Sequence, residues 1–334
     1  TRGREKTHPV PSNQFSLSVI RIETMFLLLL CGLPLLTILL TLFIVIRDRW
    51  QSVEWNGVGE SGPPRLVVVT GANGGIGFAL TEMLLERKGT RVVMACRSLQ
   101  RAEAARQLLI KKYMGEEKIE IEQIDLLNLS SVAACAKSIA SKHAHVDVLV
   151  ANAGAFASSE KTKDGIEGTL QANYLGHFLL CESLLKHGVT LGRVVLTSSV
   201  AHKFAFSASL DDSFSLDIIN YCRAKLAEVC YGRVLSERGI PSYSAHPGIV
   251  STNMVQGTFL EFVLKYLQPL MNAMMKSPRQ GAQTLLMLSL ASHNRLVPGG
   301  FYSECALDTT SPLVTPANWR AIHARSLELV ASHL

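Results

Sequence analysis

The chain has no paired cysteines. Its seven (Cys31, Cys96, Cys135, Cys181, Cys222, Cys230 and Cys305) are odd in number and scattered, and no two are spaced C-x-x-C. That excludes a disulfide framework or a cysteine zinc site and predicts reduced thiols. His177, His202 and His246 show no metal-ligand spacing, and they read as structural histidines. Charge is sparse: Asp, Glu, Lys and Arg make up 18% of the 334 residues, with a net charge of +6. No Lys/Arg block and no basic–aromatic alternation occurs, so nothing marks a nucleic-acid surface. Repeats and low-complexity tracts are also missing, which excludes a solenoid.

Apolar residues are abundant, at 48% of the chain. Much of the excess lies in Phe26–Ile46, FLLLLCGLPLLTILLTLFIVI, which has no charged side chain. As a helix this run spans about 30 Å, the thickness of a bilayer core. Gly32 and Pro34 are tolerable there. The run is longer than the apolar part of a signal peptide, and no small-residue cleavage site follows closely. It therefore reads as a retained anchor in the lipid bilayer. Arg2, Arg4, Lys6 and Arg21 precede it, and Arg47 and Arg49 follow, so the flanking charge leaves sidedness open. If Met25 starts the chain, Arg47 and Arg49 dominate and the domain faces the cytosol. The expected organisation is a tail over 1–24, an anchor over 25–47, a Gly/Pro-containing linker over 48–64 and a single domain over 65–334.

From Arg65 strand and helix patterns alternate. Short β-branched runs predict strands at 66–70, 91–96, 119–125, 146–151, 193–198 and 241–246, with a seventh at 301–303. Helical spacing falls between them, near 78–87, 101–113, 131–142, 165–187 and 220–238. Strict alternation implies an α/β fold with a doubly wound, Rossmann-type parallel sheet of about seven strands.

Thr70-Gly-Ala-Asn-Gly-Gly-Ile-Gly77 lies between the first strand and its helix. Gly71, Gly75 and Gly77, with Asn73, Gly74 and Ile76, form a loop able to let a pyrophosphate approach the backbone at a helix N-terminus. Where NAD binders usually carry an acidic residue, after the second strand, this chain has Arg97. A guanidinium suits a 2′-phosphate, and Arg101 stands beside it, so the sequence predicts NADP(H). Tyr221 and Lys225 are four residues apart on one face of a helix. The ammonium is expected to lower the phenol's pKa and fit it for proton transfer with an alcohol oxygen.

Together these segments resemble the short-chain dehydrogenase/reductase family, and most closely its membrane-anchored retinol dehydrogenase branch. The carriers are TGANGGIG (70–77), ACRS (95–98), ANAG (151–154), NYLGHF (173–178), VVLTSSVAH (194–202), YCRAKLA (221–227), HPGIVST (246–252), SPRQGAQT (277–284) and GGFYSEC (299–305). One departure is Ala151, where the family often has a first Asn. The resemblance implies a catalytic group of Asn173, Ser199, Tyr221 and Lys225, with Lys225 also on the cofactor ribose. It implies that Asn152, Ala153 and Gly154 cover the adenosine side, that Asp125 and Leu126 contact adenine, and that Pro247, Gly248 and Thr252 border the nicotinamide.

The implied activity is NADP(H)-dependent interconversion of a hydrophobic alcohol and its aldehyde or ketone, of retinoid, sterol or other lipid type. Two alternatives stay open: a photoreductase of chlorophyll precursors and a non-catalytic NADP(H)-binding scaffold. Phe204, Phe206 and Phe214 suit one wall of a substrate cleft. The Met-rich stretch 252–276 suits a mobile lid, a core helix or a homodimer face. The expected location is the endoplasmic reticulum membrane with the catalytic domain cytosolic. Ser332-His333-Leu334 is similar to a peroxisomal address.

Overall fold

The computed structural model describes residues 53–55, 57, 66–113, 118–155, 160–211, 217–250 and 275–334. All fall within a unit spanning Asp48–Leu334. Phe26–Ile46, Phe214 and Thr252 lie outside the described residues. Among those described, no helix is long and apolar enough to cross a membrane.

The strands are β1 (Leu66–Thr70), β2 (Arg91–Cys96), β3 (Ile119–Gln123), β4 (His145–Val146), β5 (Val148–Ala151), β6 (Thr190–Leu191), β7 (Val194–Thr197), β8 (Ser242–His246), β9 (Phe301–Ser303) and β10 (Ala306–Asp308). β4 and β6 pair only with each other, and the other eight form one sheet in the order β10-β9-β8-β7-β5-β1-β2-β3. All pairings in that sheet are parallel except β9 with β10. The chain runs outward from β1 to β3, then returns to β5 on the other side of β1. A crevice opens beyond the carboxyl ends of β1 and β5, where the winding reverses.

Helices α1 (Gly75–Leu85), α2 (Leu99–Tyr113), α3 (Leu129–Lys142), α4 (Gly176–Lys186), α5 (Asp217–Glu237), α6 (Pro278–Leu290) and α7 (Pro316–Val330) cover the sheet. Successive strand side chains point to opposite faces. Val68, Val93, Leu149, Val194 and Leu196 therefore pack with α3, α4, α5 and α7. Val67, Val69, Val92, Met94, Val148, Val150 and Val195 pack with α1, α2 and α6. Burial on both faces explains the unbroken apolar runs, and each fully buried valine contributes about 1.5–3 kcal/mol.

The sheet has eight strands rather than about seven. The extra one, β10, follows a two-residue turn in which Glu304 (φ 51°) and Cys305 (φ 57°) both take left-handed backbone. Such turns usually carry Gly or Asn, so Glu-Cys gave no hairpin signal. Helices α6 and α7 add to the predicted set. The chain folds its last residues onto the body: Lys186 Nζ donates to the Leu334 carbonyl, and His333 lies 3.6 Å from Asp164. All six cysteines among the described residues are free, as expected, and five are buried.

Candidate active site

Thr70, the last residue of β1, organises the crevice. Its Oγ1 accepts the amide protons of Asn152 and Ala153, each at 2.9 Å, and so fastens the loop after β5 to the end of β1. The Asn152 side chain donates to the Thr70 carbonyl at 2.9 Å. Its amide thus braces the loop rather than facing the crevice.

The glycine loop sits between these elements. A Cβ on Gly77 would lie 2.3 Å from the Gly71 carbonyl oxygen, so only glycine lets α1 start this close to β1. Gly71 (φ 68°) and Gly75 (φ 52°) take left-handed backbone. Gly74 is the N-cap of α1 and supplies no side-chain cap, which leaves the first amides of the helix free to meet an anion. Ile76 is buried beneath the loop.

A cavity of about 210 Å³ runs from this loop across the ends of β2 and β3. Gly71, Asn73, Arg97, Arg101, Asp125, Leu126, Ala153 and Gly154 all line it. The Asp125 carboxylate accepts from the Leu127 amide at 3.1 Å and shapes the turn that presents Leu126. Arg97 and Arg101 are exposed at its rim, and neither makes an ion pair with a described carboxylate.

Asn173 lies where helical spacing predicted one continuous helix over 165–187. The structure divides it: Gly168–Leu170 is helical, Gln171–Leu175 is a π-turn, and α4 follows. Asn173 Nδ2 donates to the carbonyls of Ala155 (2.7 Å) and Thr169 (2.8 Å). Its buried Oδ1 has no partner among the described residues. A Cβ on Gly154 would lie 2.6 Å from that Oδ1 and 4.0 Å from Lys225 Nζ. The asparagine oxygen and the ammonium therefore border one space above Gly154.

The two serines after β7 divide their roles. Ser198 is buried, and its hydroxyl donates to the Lys225 carbonyl at 2.7 Å, tying β7 to α5. Ser199 is half-buried and its hydroxyl reaches the Tyr221 phenol. The Ser199 carbonyl accepts from His202 Nδ1 at 2.6 Å, and His202 Nε2 accepts the Ser311 amide at 3.2 Å. This fixes the tautomer of His202, and burial holds its pKa below the ordinary value. His202 is structural, as its sequence context suggested.

Tyr221 corrects one expectation. Burial pushes its phenol above the ordinary pKa, and the pull of Lys225 and Ser199 does not overcome that. Lys225 Nζ is 5.5 Å from the Tyr221 ring centre. It donates to the Thr197 carbonyl at 2.8 Å, and both carboxyl oxygens of Glu228 lie 3.0–3.2 Å away. Glu228 is 1% exposed, and burial raises its pKa to about 8. Sequence reading missed this neighbour, although the i, i+3 spacing was available.

Pro247, Gly248 (φ 87°) and Val250 follow β8. Val250 bridges to Lys276, and the Pro247 carbonyl, Val250 and Ile76 all meet at Gly281 of α6. The loop after β8 therefore lies beside the start of α1. Phe204 and Phe206, just beyond Ser199 in the chain, are 76% and 62% exposed.

The short chain dehydrogenase family profile matches residues 65–261. Human retinol dehydrogenase 11 is 33% identical over 297 residues, covering 85% of this chain and 90% of that protein. An uncharacterised Mycobacterium paratuberculosis protein of solved structure is similar with a TM-score of 0.63 and 26% identity, over 84% of this chain and 98% of that one. A Shigella flexneri short chain dehydrogenase solved with NADP shares the fold at 19% identity (TM-score 0.56), over 72% of this chain and 97% of that one. With the doubly wound sheet, the glycine cradle and the Tyr221–Lys225 pair already in view, these matches make the chain a member of the short-chain dehydrogenase/reductase family of oxidoreductases.

Proposed function

We propose that the chain uses NADP(H) to interconvert a hydrophobic alcohol and its aldehyde or ketone, with a retinoid as the first substrate to try, while held at a membrane by Phe26–Ile46. The observation that carries the reading is the convergence of Ser199, Tyr221 and Lys225 at one end of a crevice whose other end is rimmed by Arg97 and Arg101.

The residues fit a dinucleotide phosphate. The tight approach at Gly77 and the uncapped start of α1 suit its pyrophosphate. Arg97 and Arg101 suit a 2′-phosphate by charge-assisted hydrogen bonds. The NADP of the Shigella relative is in keeping with this choice. Ala153, Gly154, Asp125 and Leu126 suit the adenosine side, and Pro247, Gly248 and Thr252 the nicotinamide side.

When bound, the nicotinamide supplies or accepts a hydride at the substrate carbon. Ser199 Oγ donates a hydrogen bond to the substrate oxygen, where charge grows. Tyr221 gives that oxygen its proton in reduction and takes it back in oxidation. Lys225 has an ammonium proton left to offer a ribose hydroxyl beyond those given to Thr197 and Glu228. Asn173 Oδ1 serves the same space above Gly154. The retinol dehydrogenase relative and the exposed Phe204 and Phe206 support an apolar substrate.

The test is a screen of the purified full chain with NADPH and NADH against all-trans-retinal, steroid ketones and long-chain aldehydes, following loss of the reduced cofactor's absorbance. NADPH-dependent turnover of an apolar carbonyl that Tyr221→Phe abolishes is the expected result. Turnover that survives Tyr221→Phe, or none with any apolar carbonyl, overturns the proposal.

A further inference from the structure

Glu228 is a buried carboxyl that the catalytic group does not use. Among the described residues its only partner is Lys225. Burying a carboxylate is costly, and it is offset only by a close counter-charge. Lys225 does not need Glu228 to stay anchored, because Thr197 already accepts from Nζ at 2.8 Å. The carboxyl therefore acts chiefly on the field at Tyr221, about two turns back along α5.

We propose that Glu228 is a positioning residue whose carboxyl, packed against Lys225 Nζ, offsets the ammonium's charge once it ionises, so that Tyr221 stays a phenol and the group is set to donate a proton to a carbonyl oxygen. This rests on the oxidoreductase reading of the site. The charges bearing on the pair are few. On α5, Glu228 and Lys225 act on Tyr221 with opposite sign. From the facing helical segment come Tyr174, whose phenol burial pushes far up, and His177, which burial holds near 4. Both are neutral at pH 7. From the end of β7 comes the uncharged Thr197 carbonyl, and from the residue after it the Ser198 hydroxyl. Cys222, next to Tyr221 on α5, would act in the same direction as Glu228, but burial raises its thiol pKa and keeps it neutral. Among the described residues Glu228 is thus the carboxyl whose ionised form opposes the ammonium.

As the carboxyl ionises, near pH 8, it raises the cost of forming the phenolate that alcohol oxidation needs. Reduction, which starts from the phenol, is spared.

The experiment follows Tyr221 directly, by NMR of ring-labelled tyrosine in the full chain in detergent, with Tyr221→Phe to assign the signal. Glu228→Gln keeps the size and the hydrogen bond but removes the charge. Its Tyr221 titration should begin about one pH unit lower, a roughly tenfold shift in the equilibrium, and the acid limb of alcohol oxidation should move with it. Glu228→Asp, which keeps the charge, should track the wild type. Glu228→Asn carries the same expectation as Gln if the latter does not fold. An unmoved or raised titration in a folded neutral variant, or an equal shift in Glu228→Asp, overturns the inference. A wild type inactive on every carbonyl would instead sink the oxidoreductase reading and leave the titration decisive for Glu228.

Discussion

The Thr70 hydroxyl lies 2.9 Å from His177 Nε2, in a buried contact between the end of β1 and the helix that follows Asn173. Thr70 Oγ1 already accepts two amides, so its own proton points to Nε2. The Nδ1 proton of His177 then goes to the Asn173 carbonyl at 3.2 Å. The ring is neutral, and burial lowers its pKa from 6.5 to about 4. Between those values the unfolded chain binds more protons than the folded one. Stability therefore rises with pH across this window and is lost as pH falls from about 6.5 to 4. The loss reaches about 3 kcal/mol. Denaturation of His177→Gln across pH 4–7 should show a flatter pH slope than wild type.

Tyr221→Phe keeps the ring and removes the acid. Turnover should fall by about 10²–10⁴, with little change in NADPH binding or melting temperature. Stopped-flow turnover beside a cofactor titration checks both halves.

Ser198 and Ser199 should separate stability from rate. Ser198→Ala loses the bond to the Lys225 carbonyl and should cost about 1 kcal/mol of stability while retaining most activity. Ser199→Ala should melt near wild type and lose about a hundredfold in kcat/KM. Paired melting and kinetic measurements of the two variants check this.

Arg97→Ala should weaken NADPH binding by about 10–100-fold, the worth of one charge-assisted hydrogen bond. NADH binding should change little. Fluorescence titration with each cofactor tests the difference, and equal losses for both would place Arg97 away from the 2′-phosphate.

Gly77→Ala puts a methyl group 2.3 Å from the Gly71 carbonyl. The start of α1 must move, at a cost of about 1–3 kcal/mol. A lower melting temperature and weaker NADPH binding are expected together.

The inner parallel strands were legible because their residues are buried on both faces, leaving unbroken apolar runs such as Leu66–Val69. β10 was not, because Glu304 and Cys305 are unusual residues for left-handed backbone. The start of α6 was written in the chain: Ser277 caps Gln280, Gln280 returns the bond, and Pro278 takes the first turn. The π-turn at Asn173 had no local signature; the Asn173 side chain there reaches the carbonyls of Thr169 and of the distant Ala155. Tyr221 and Lys225 were readable from spacing, whereas the preference for Ser199 over Ser198 came only from family resemblance. The pKa of Tyr221 was misjudged because the ammonium was visible in the sequence and the burial was not.

The seated last residues bear on how the domain opens. Lys186 holds the Leu334 carbonyl, and His333 sits by Asp164 and Ser130. These contacts join residues 333–334 to the first turn of α3, the last turn of α4 and the loop before Gly165. A fluctuation that frees the tail gives up all of them together, so these parts loosen as one unit rather than one residue at a time.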